Sequence, residues 1–169
     1  MNYDRYYTCD VVNGEGLRVT LFVTGCQHAC PGCYNSSTWN RMHGKPFTAE
    51  VRDRLLDLCD GHDGLSLSGG DPLLPANRDA IAALCRAFKL RYPDKDIWMW
   101  TGYVYEDIRH LELLRDVQRA HRRPVSEGSA PHIALARLRQ SASDSPAKWR
   151  AHGLNATVSS ATDNARRRS

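Results

Sequence analysis

Three cysteines, Cys26, Cys30 and Cys33, fall within eight residues in the pattern C-x3-C-x2-C. Thiolates are soft ligands that suit iron–sulfur clusters and zinc. Three of them on one loop can each take one iron of a cubane cluster. The fourth iron then has no protein ligand in the motif and stays open to a small molecule, much as a catalytic zinc site keeps one position free. Two other readings stand beside this one. A structural zinc site needs a fourth ligand, and His28 is the nearest candidate. The three thiols can also be unrelated buried cysteines, and spacing alone does not separate the three cases.

A loop of this kind must be carried by regular elements. Arg18–Gly25 is apolar, β-branched and closed by glycine, which predicts a buried strand leading straight into the cysteine loop. Thr48 is an N-cap residue ahead of Val51, Leu55, Leu56 and Leu58, which predicts a helix. Residues 64–70 predict a second strand, and Pro75–Tyr92, with Ile81, Leu84, Cys85 and Phe88 at helical spacing, a second helix. Asp96–Tyr103 predicts a third strand and Tyr105–Leu114 a third helix. Strand and helix alternate, so the expected class is α/β, a parallel sheet with helical crossovers. Thr24-Gly25-Cys26, Ser68-Gly69-Gly70 and Thr101-Gly102-Tyr103 each end a strand. In parallel α/β folds sites form at the carboxyl ends of strands, so these three stretches are expected to meet.

The bulk properties narrow the class. The chain has 169 residues, 41% hydrophobic and 25% charged, which suits one soluble globular domain. No apolar run approaches the roughly 18 residues that a membrane span needs. The N-terminal residues lack the apolar stretch of a secretory signal, so a cytoplasmic protein with no membrane partner is expected. There a cysteine cluster reads as metal-binding or catalytic rather than as disulfides. Cys9, Cys59 and Cys85 fit apolar faces and are expected to be core thiols. The net charge of +4 is unevenly spread: residues 1–116 carry −3 and residues 117–169 carry +7. A nucleic-acid partner is therefore not expected of the first part. The last part has one aromatic residue, Trp149, with 8 Ser and 10 Ala, a composition expected to give a basic, disordered tail.

The C-x3-C-x2-C motif followed by an aromatic residue, here Tyr34, resembles the signature of radical S-adenosylmethionine (SAM) enzymes. Further stretches narrow the likeness. Asn2-Tyr3, Asn13-Gly14-Glu15-Gly16, Phe22–Cys26, Cys30-Pro31-Gly32-Cys33-Tyr34-Asn35, Leu67–Leu73 and Trp98–Tyr103 resemble the activating proteins of anaerobic (class III) ribonucleoside-triphosphate reductases, over residues 1 to about 116. The resemblance implies a partial, incomplete TIM-barrel-like radical SAM fold. It implies a [4Fe-4S] cluster on Cys26, Cys30 and Cys33, with SAM on the open iron. Gly32, Cys33 and Tyr34 would contact SAM through the loop backbone and ring, and in Ser68-Gly69-Gly70-Asp71 the glycines would let the main chain approach while a carbonyl or Asp71 takes the amino group. Reductive cleavage of SAM would then generate a glycyl radical in the reductase large subunit. An electron donor such as flavodoxin is the other implied partner.

Other residues carry bland readings. His28 is expected to make a polar loop contact rather than to bind metal. Trp98 and Trp100 alternate on one strand and share a face, in core packing or beside an adenosine pocket. Asn13–Gly16 is expected to be a tight turn, with room for a contact to the partner's glycine loop.

The resemblance stops after Val117, which divides the chain into an activase domain, 1–117, and a tail, 118–169. The family continues with a strand ending in Asp-Gly and later a Trp-Arg-Gly-Ser-x-Asn-Gln-Arg stretch. Read one base further on, the codons for Gln118–Val125 permit Ser-Val-Leu-Ile-Asp-Gly-Pro-Phe. Those for Leu135–Ala142 permit Trp-Arg-Gly-Ser-Gly-Asn-Gln-Arg. The tail is thus expected to be translated out of frame, leaving the sheet one strand short and the activity of this chain open. Two competing functions remain: another small radical SAM enzyme with a different peptide or protein substrate, and a zinc-stabilised binding module with a nucleic-acid-binding tail.

Overall fold

The computed structural model describes residues 1–117, 119–122 and 136–137. The strands are β1 (Asn2–Asp10), β2 (Arg18–Val23), β3 (Lys45–Pro46), β4 (Gly64–Gly69), β5 (Asp96–Thr101), β6 (Arg119–Arg122) and β7 (Ala136–Arg137). They form one sheet in the order β3-β1-β2-β4-β5-β6-β7. The helices are α1 (Ala49–Leu58), α2 (Pro75–Arg91) and α3 (Tyr105–Ile108). The fold is therefore mixed α/β.

The strands β2, β4, β5 and β6 run parallel, whereas β1, β3 and β7 pair antiparallel. The three strands read from the sequence, β2, β4 and β5, are parallel as expected, and the sheet as a whole is mixed because β1, β3 and β7 were not read. Seven residues, 11–17, join β1 to β2. A parallel neighbour needs a crossover of roughly a dozen residues or more, so a link this short returns antiparallel.

The register sorts the side chains by face. Val19 pairs with Leu65 and Leu65 with Ile97, and the next such row is Leu21, Leu67 and Met99. With Leu55, Ile81, Leu84, Cys85 and Phe88 these residues make one buried core. Each fully buried side chain of this size contributes roughly 1.5–3 kcal/mol. Helix α1 starts where expected, with the Thr48 hydroxyl accepting from the Val51 N–H at 3.4 Å. Pro75 opens α2, where its missing N–H costs nothing.

The alternate residues lie on the opposite face. There Arg18 is buried to 1% exposure beside Trp98, 5.4 Å from the ring centroid. A buried charge must be paired. The Arg18 guanidinium donates to Ser66 Oγ (2.7 Å), Glu15 O (2.9 Å) and Leu65 O (3.0 Å), and stands 2.7 Å from the Asp96 carboxylate. Asn13 O accepts from Ser66 Oγ (2.7 Å) and Trp100 Nε1 (3.3 Å). The Asn13–Gly16 turn is thus fastened across the face that Trp98 and Trp100 share.

The third predicted helix is broken. Helix α3 stops at Ile108, and a 3-10 turn follows over Glu112–Arg115. Ile108, Leu113 and Leu114 are all buried. On one continuous helix, at about 100° per residue, Leu113 would point about 140° away from Ile108. The break lets both reach the core.

The sheet also continues past Val117. The backbone of β6, inside the stretch expected to be a tail, pairs with Trp98–Thr101 of β5. Ladder bonds use main-chain groups, so side-chain composition did not forbid the strand. The expected disorder and the second frame-shifted stretch otherwise lie outside the described residues. Cys59 and Cys85 are buried as expected, but Cys9, on β1, is exposed.

Candidate functional site

The cysteine loop leaves the carboxyl end of β2. Its base is tied on two sides. Gly25 N donates to Thr38 O (2.7 Å) and Cys26 N to Trp39 O (3.0 Å), while Gly25 O accepts from Asp71 N (2.8 Å). Gly25 takes φ +94°, and a Cβ there would stand 2.6 Å from Leu74 Cδ2. Within the loop the chain turns left-handed twice, at Ala29 (φ 46°) and Gly32 (φ 70°). For a residue with a Cβ, as at Ala29, this conformation costs on the order of 1–3 kcal/mol and persists only where neighbours enforce it. Cys33 N closes the last turn onto Cys30 O at 3.2 Å.

Cys26, Cys30 and Cys33 are all free thiols and partly exposed. Burial pushes the Cys26 thiol up, as do the charges of Asp71, Cys30 and Cys33, against a lowering contribution from the His28 backbone N–H. Several anionic or potentially anionic groups therefore share this end of the sheet. A bound metal reverses that balance, because its positive charge favours the thiolates. The donor set fits an iron–sulfur cluster in this respect. Among the described residues, no three His, Cys, Asp or Glu side chains are gathered closely enough to enclose a single metal ion.

Asp71 sits beneath the loop, 1% exposed, just beyond β4. Its Oδ1 accepts from Leu73 N (2.8 Å) and Thr101 Oγ1 (2.9 Å). Its Oδ2 accepts from Gly102 N at 2.8 Å and lies 3.1 Å from Thr101 Oγ1. His28 Nε2 stands 2.8 Å from the same Oδ2. The other groups around the carboxylate are donors, so the proton of this last bond belongs on Nε2. The Asn77 amide donates to Thr24 O (2.9 Å) and Asp71 O (3.0 Å), tying the turns after β2 and β4 to α2.

The three strand ends predicted to meet do so. The other positions expected to touch a cofactor divide into two groups. Gly32 and Tyr34 are exposed on the loop, and a Cβ at Gly32 would meet nothing within 4 Å. Gly69 and Gly70 are buried. Their close approach is to the chain itself: a Cβ would stand 2.5 Å from Val23 O at Gly69 and 2.5 Å from Gly25 O at Gly70. Protein groups stand at both carboxylate oxygens of Asp71. Sequence reasoning passed over Asn77 altogether. It placed Thr101-Gly102-Tyr103 at a strand end beside the other glycine turns and in a family motif, but gave it no contact with Asp71.

Residues 12–121 match the family described as 4Fe-4S single cluster domain. Fold and site thus define an iron–sulfur protein built around one cluster. Over 119 residues the chain is 56% identical to the anaerobic ribonucleoside-triphosphate reductase-activating protein of Enterobacteria phage T4, covering 69% of this chain and 76% of that one. The proteins of that name from Vibrio cholerae serotype O1 and Escherichia coli K12 are 53% identical over 112 residues and 49% over 117. They cover 64% and 67% of this chain, and 72% and 76% of their own lengths. The chain belongs to the family of anaerobic ribonucleoside-triphosphate reductase-activating proteins. Among the described residues no helix is long and apolar enough to cross a membrane.

Proposed function

We propose that this protein activates an anaerobic ribonucleoside-triphosphate reductase by installing a glycyl radical in its large subunit. Cys26, Cys30 and Cys33 hold a [4Fe-4S] cluster and SAM is the second cofactor. Together these groups would supply one-electron reductive cleavage of the SAM sulfonium and removal of a hydrogen from the target glycine. Cys26, Cys30 and Cys33 would each hold one iron, so one iron would be left without a protein ligand. Gly32, Cys33 and Tyr34 on the loop and Gly69-Gly70 at the β4 turn would contact SAM there. Asp71 supports that turn from below. The parallel strands β2, β4, β5 and β6 act as part of an incomplete barrel whose carboxyl ends carry the chemistry, in the cytoplasm and with a flavodoxin-type donor.

The observation that carries this reading is the joining of one C-x3-C-x2-C loop of free thiols to the β4 and β5 ends through Asp71. Anaerobic loading with iron and sulfide, followed by dithionite and SAM, tests it. The expected result is cluster absorbance, release of methionine and 5′-deoxyadenosine, and a glycyl-radical electron paramagnetic resonance (EPR) doublet on added reductase. Cluster formation without SAM cleavage would sink the assignment.

A further inference from the structure

His28 lies midway between Cys26 and Cys30, yet its ring faces the sheet rather than solvent. Nε2 reaches Asp71 Oδ2 at 2.8 Å. The ring meets Tyr103 edge-on, with centroids 4.7 Å apart. Gly102 lies so close that any Cβ there would overlap the imidazole. The ring of a residue inside the cysteine loop thus reaches a carboxylate that is fixed by Leu73, Thr101 and Gly102. The next residue, Ala29, holds the left-handed turn that must be enforced from outside.

We propose that His28 is a positioning residue. Its bond to Asp71 and its seat between Gly102 and Tyr103 fasten the cysteine loop over the ends of β4 and β5. Asp71 serves SAM through this fastening rather than by touching it. The inference rests on the cluster assignment above. A carboxylate whose oxygens are taken by Leu73, Thr101, Gly102 and His28 has little capacity left for a ligand amine. A loop that loses its fastening keeps its three thiols but no longer holds the open iron at a fixed place over the glycine turn. Partners behind a metal ligand commonly alter metal or ligand affinity in this indirect way.

Three variants test it: His28→Ala, His28→Gln and His28→Asn. The Gln amide N–H can reach Asp71 from the Nε2 position, and the Asn side chain is one methylene too short. In the apo protein, iodoacetamide labelling of Cys26, Cys30 and Cys33, read by mass spectrometry, should quicken in the Ala and Asn variants and return toward wild type with Gln. In the loaded protein, iron content should hold while SAM affinity falls about tenfold in Ala and Asn and recovers in Gln. The EPR change that SAM causes in the reduced cluster should be lost and regained in the same order.

Equal labelling rates and equal SAM affinity in His28→Ala would overturn the proposal. If the Ala variant does not fold, the contrast between Gln and Asn decides, and no difference between them would overturn it as well. A wild-type protein that takes up no cluster would instead defeat the proposed function. The apo labelling order would still stand as the test of the fastening.

Discussion

His28 Nε2 stands 2.8 Å from Asp71 Oδ2, which joins residues 43 positions apart and shuts the cysteine loop onto the end of the sheet. Asp71 is the hub of this arrangement, so its loss should spread to β4 and β5. Asp71→Asn puts an NH2 group where an N–H or O–H already points. It should lower stability by about 1–3 kcal/mol. Thr101→Val removes one donor and should cost about 1 kcal/mol. Urea unfolding of the apo proteins measures both, and equal midpoints for Asp71→Asn and wild type would remove Asp71 from the hub.

Cys26→Ala, Cys30→Ala and Cys33→Ala should each abolish the [4Fe-4S] cluster and SAM cleavage. Cys59→Ala should leave iron content unchanged, because Cys59 is buried in the core. Iron and sulfide analysis after anaerobic reconstitution checks this. Loss of iron in the Cys59 variant would show that the wrong thiols were chosen.

Gly70→Val should damage the fold before it damages cofactor binding. A Cβ at Gly70 would stand 2.5 Å from Gly25 O and 3.0 Å from Gly25 C, and backbone cannot move aside cheaply. A loss of about 1–3 kcal/mol is expected from the overpacking, measured by denaturant midpoint. An unchanged midpoint with weakened SAM binding would show that this glycine acts on the ligand rather than on the fold.

Ala29 and Gly32 should respond with opposite signs. Ala29→Gly removes the left-handed penalty but loosens the unfolded chain, for a net gain of up to about 1 kcal/mol. Gly32→Ala introduces that penalty without any clash, at a cost of about 1–2 kcal/mol. Paired urea titrations of the apo proteins give both signs.

Alkaline pH should destabilise the protein through two core thiols. Burial pushes Cys59 and Cys85 up to about 12. The unfolded value is about 8.5. Because the folded pKa is raised, the contribution to stability is fully present below about pH 8.5 and is lost as pH rises toward 12. Denaturant midpoints should therefore fall between pH 8 and about 11, and fall less in a Cys59→Ala, Cys85→Ala double variant compared with its own midpoint at pH 8.

The coding DNA offers a separate check on the last third of the chain. Read one base on from codon 118, it should encode Ser-Val-Leu-Ile-Asp-Gly-Pro-Phe and, further along, Trp-Arg-Gly-Ser-Gly-Asn-Gln-Arg. Sequencing that yields neither would leave the tail as a genuine extension of this family member.

The cysteine spacing, the family motifs, β2, β4 and β5, and the starts of α1 and α2 were legible in the sequence because each is a local pattern. Periodicity, caps and glycine stops act within a few residues, and so does C-x3-C-x2-C. β1 was not legible, since its exposure follows no simple alternation and its partner is set by the short link to β2. The α3 break was hidden because only the core decides that Ile108 and Leu113 must both turn inward. The site divides in the same way. The sequence supplied the thiols, the glycine turns and Asp71, but only tertiary structure decided that Gly70 crowds Gly25 and that Asp71 fastens His28. Those contacts depend on the register of β2, β4 and β5, which brings three distant strand ends to one level. Such pairings across tens of residues arise from packing of the whole sheet and leave no local pattern to read.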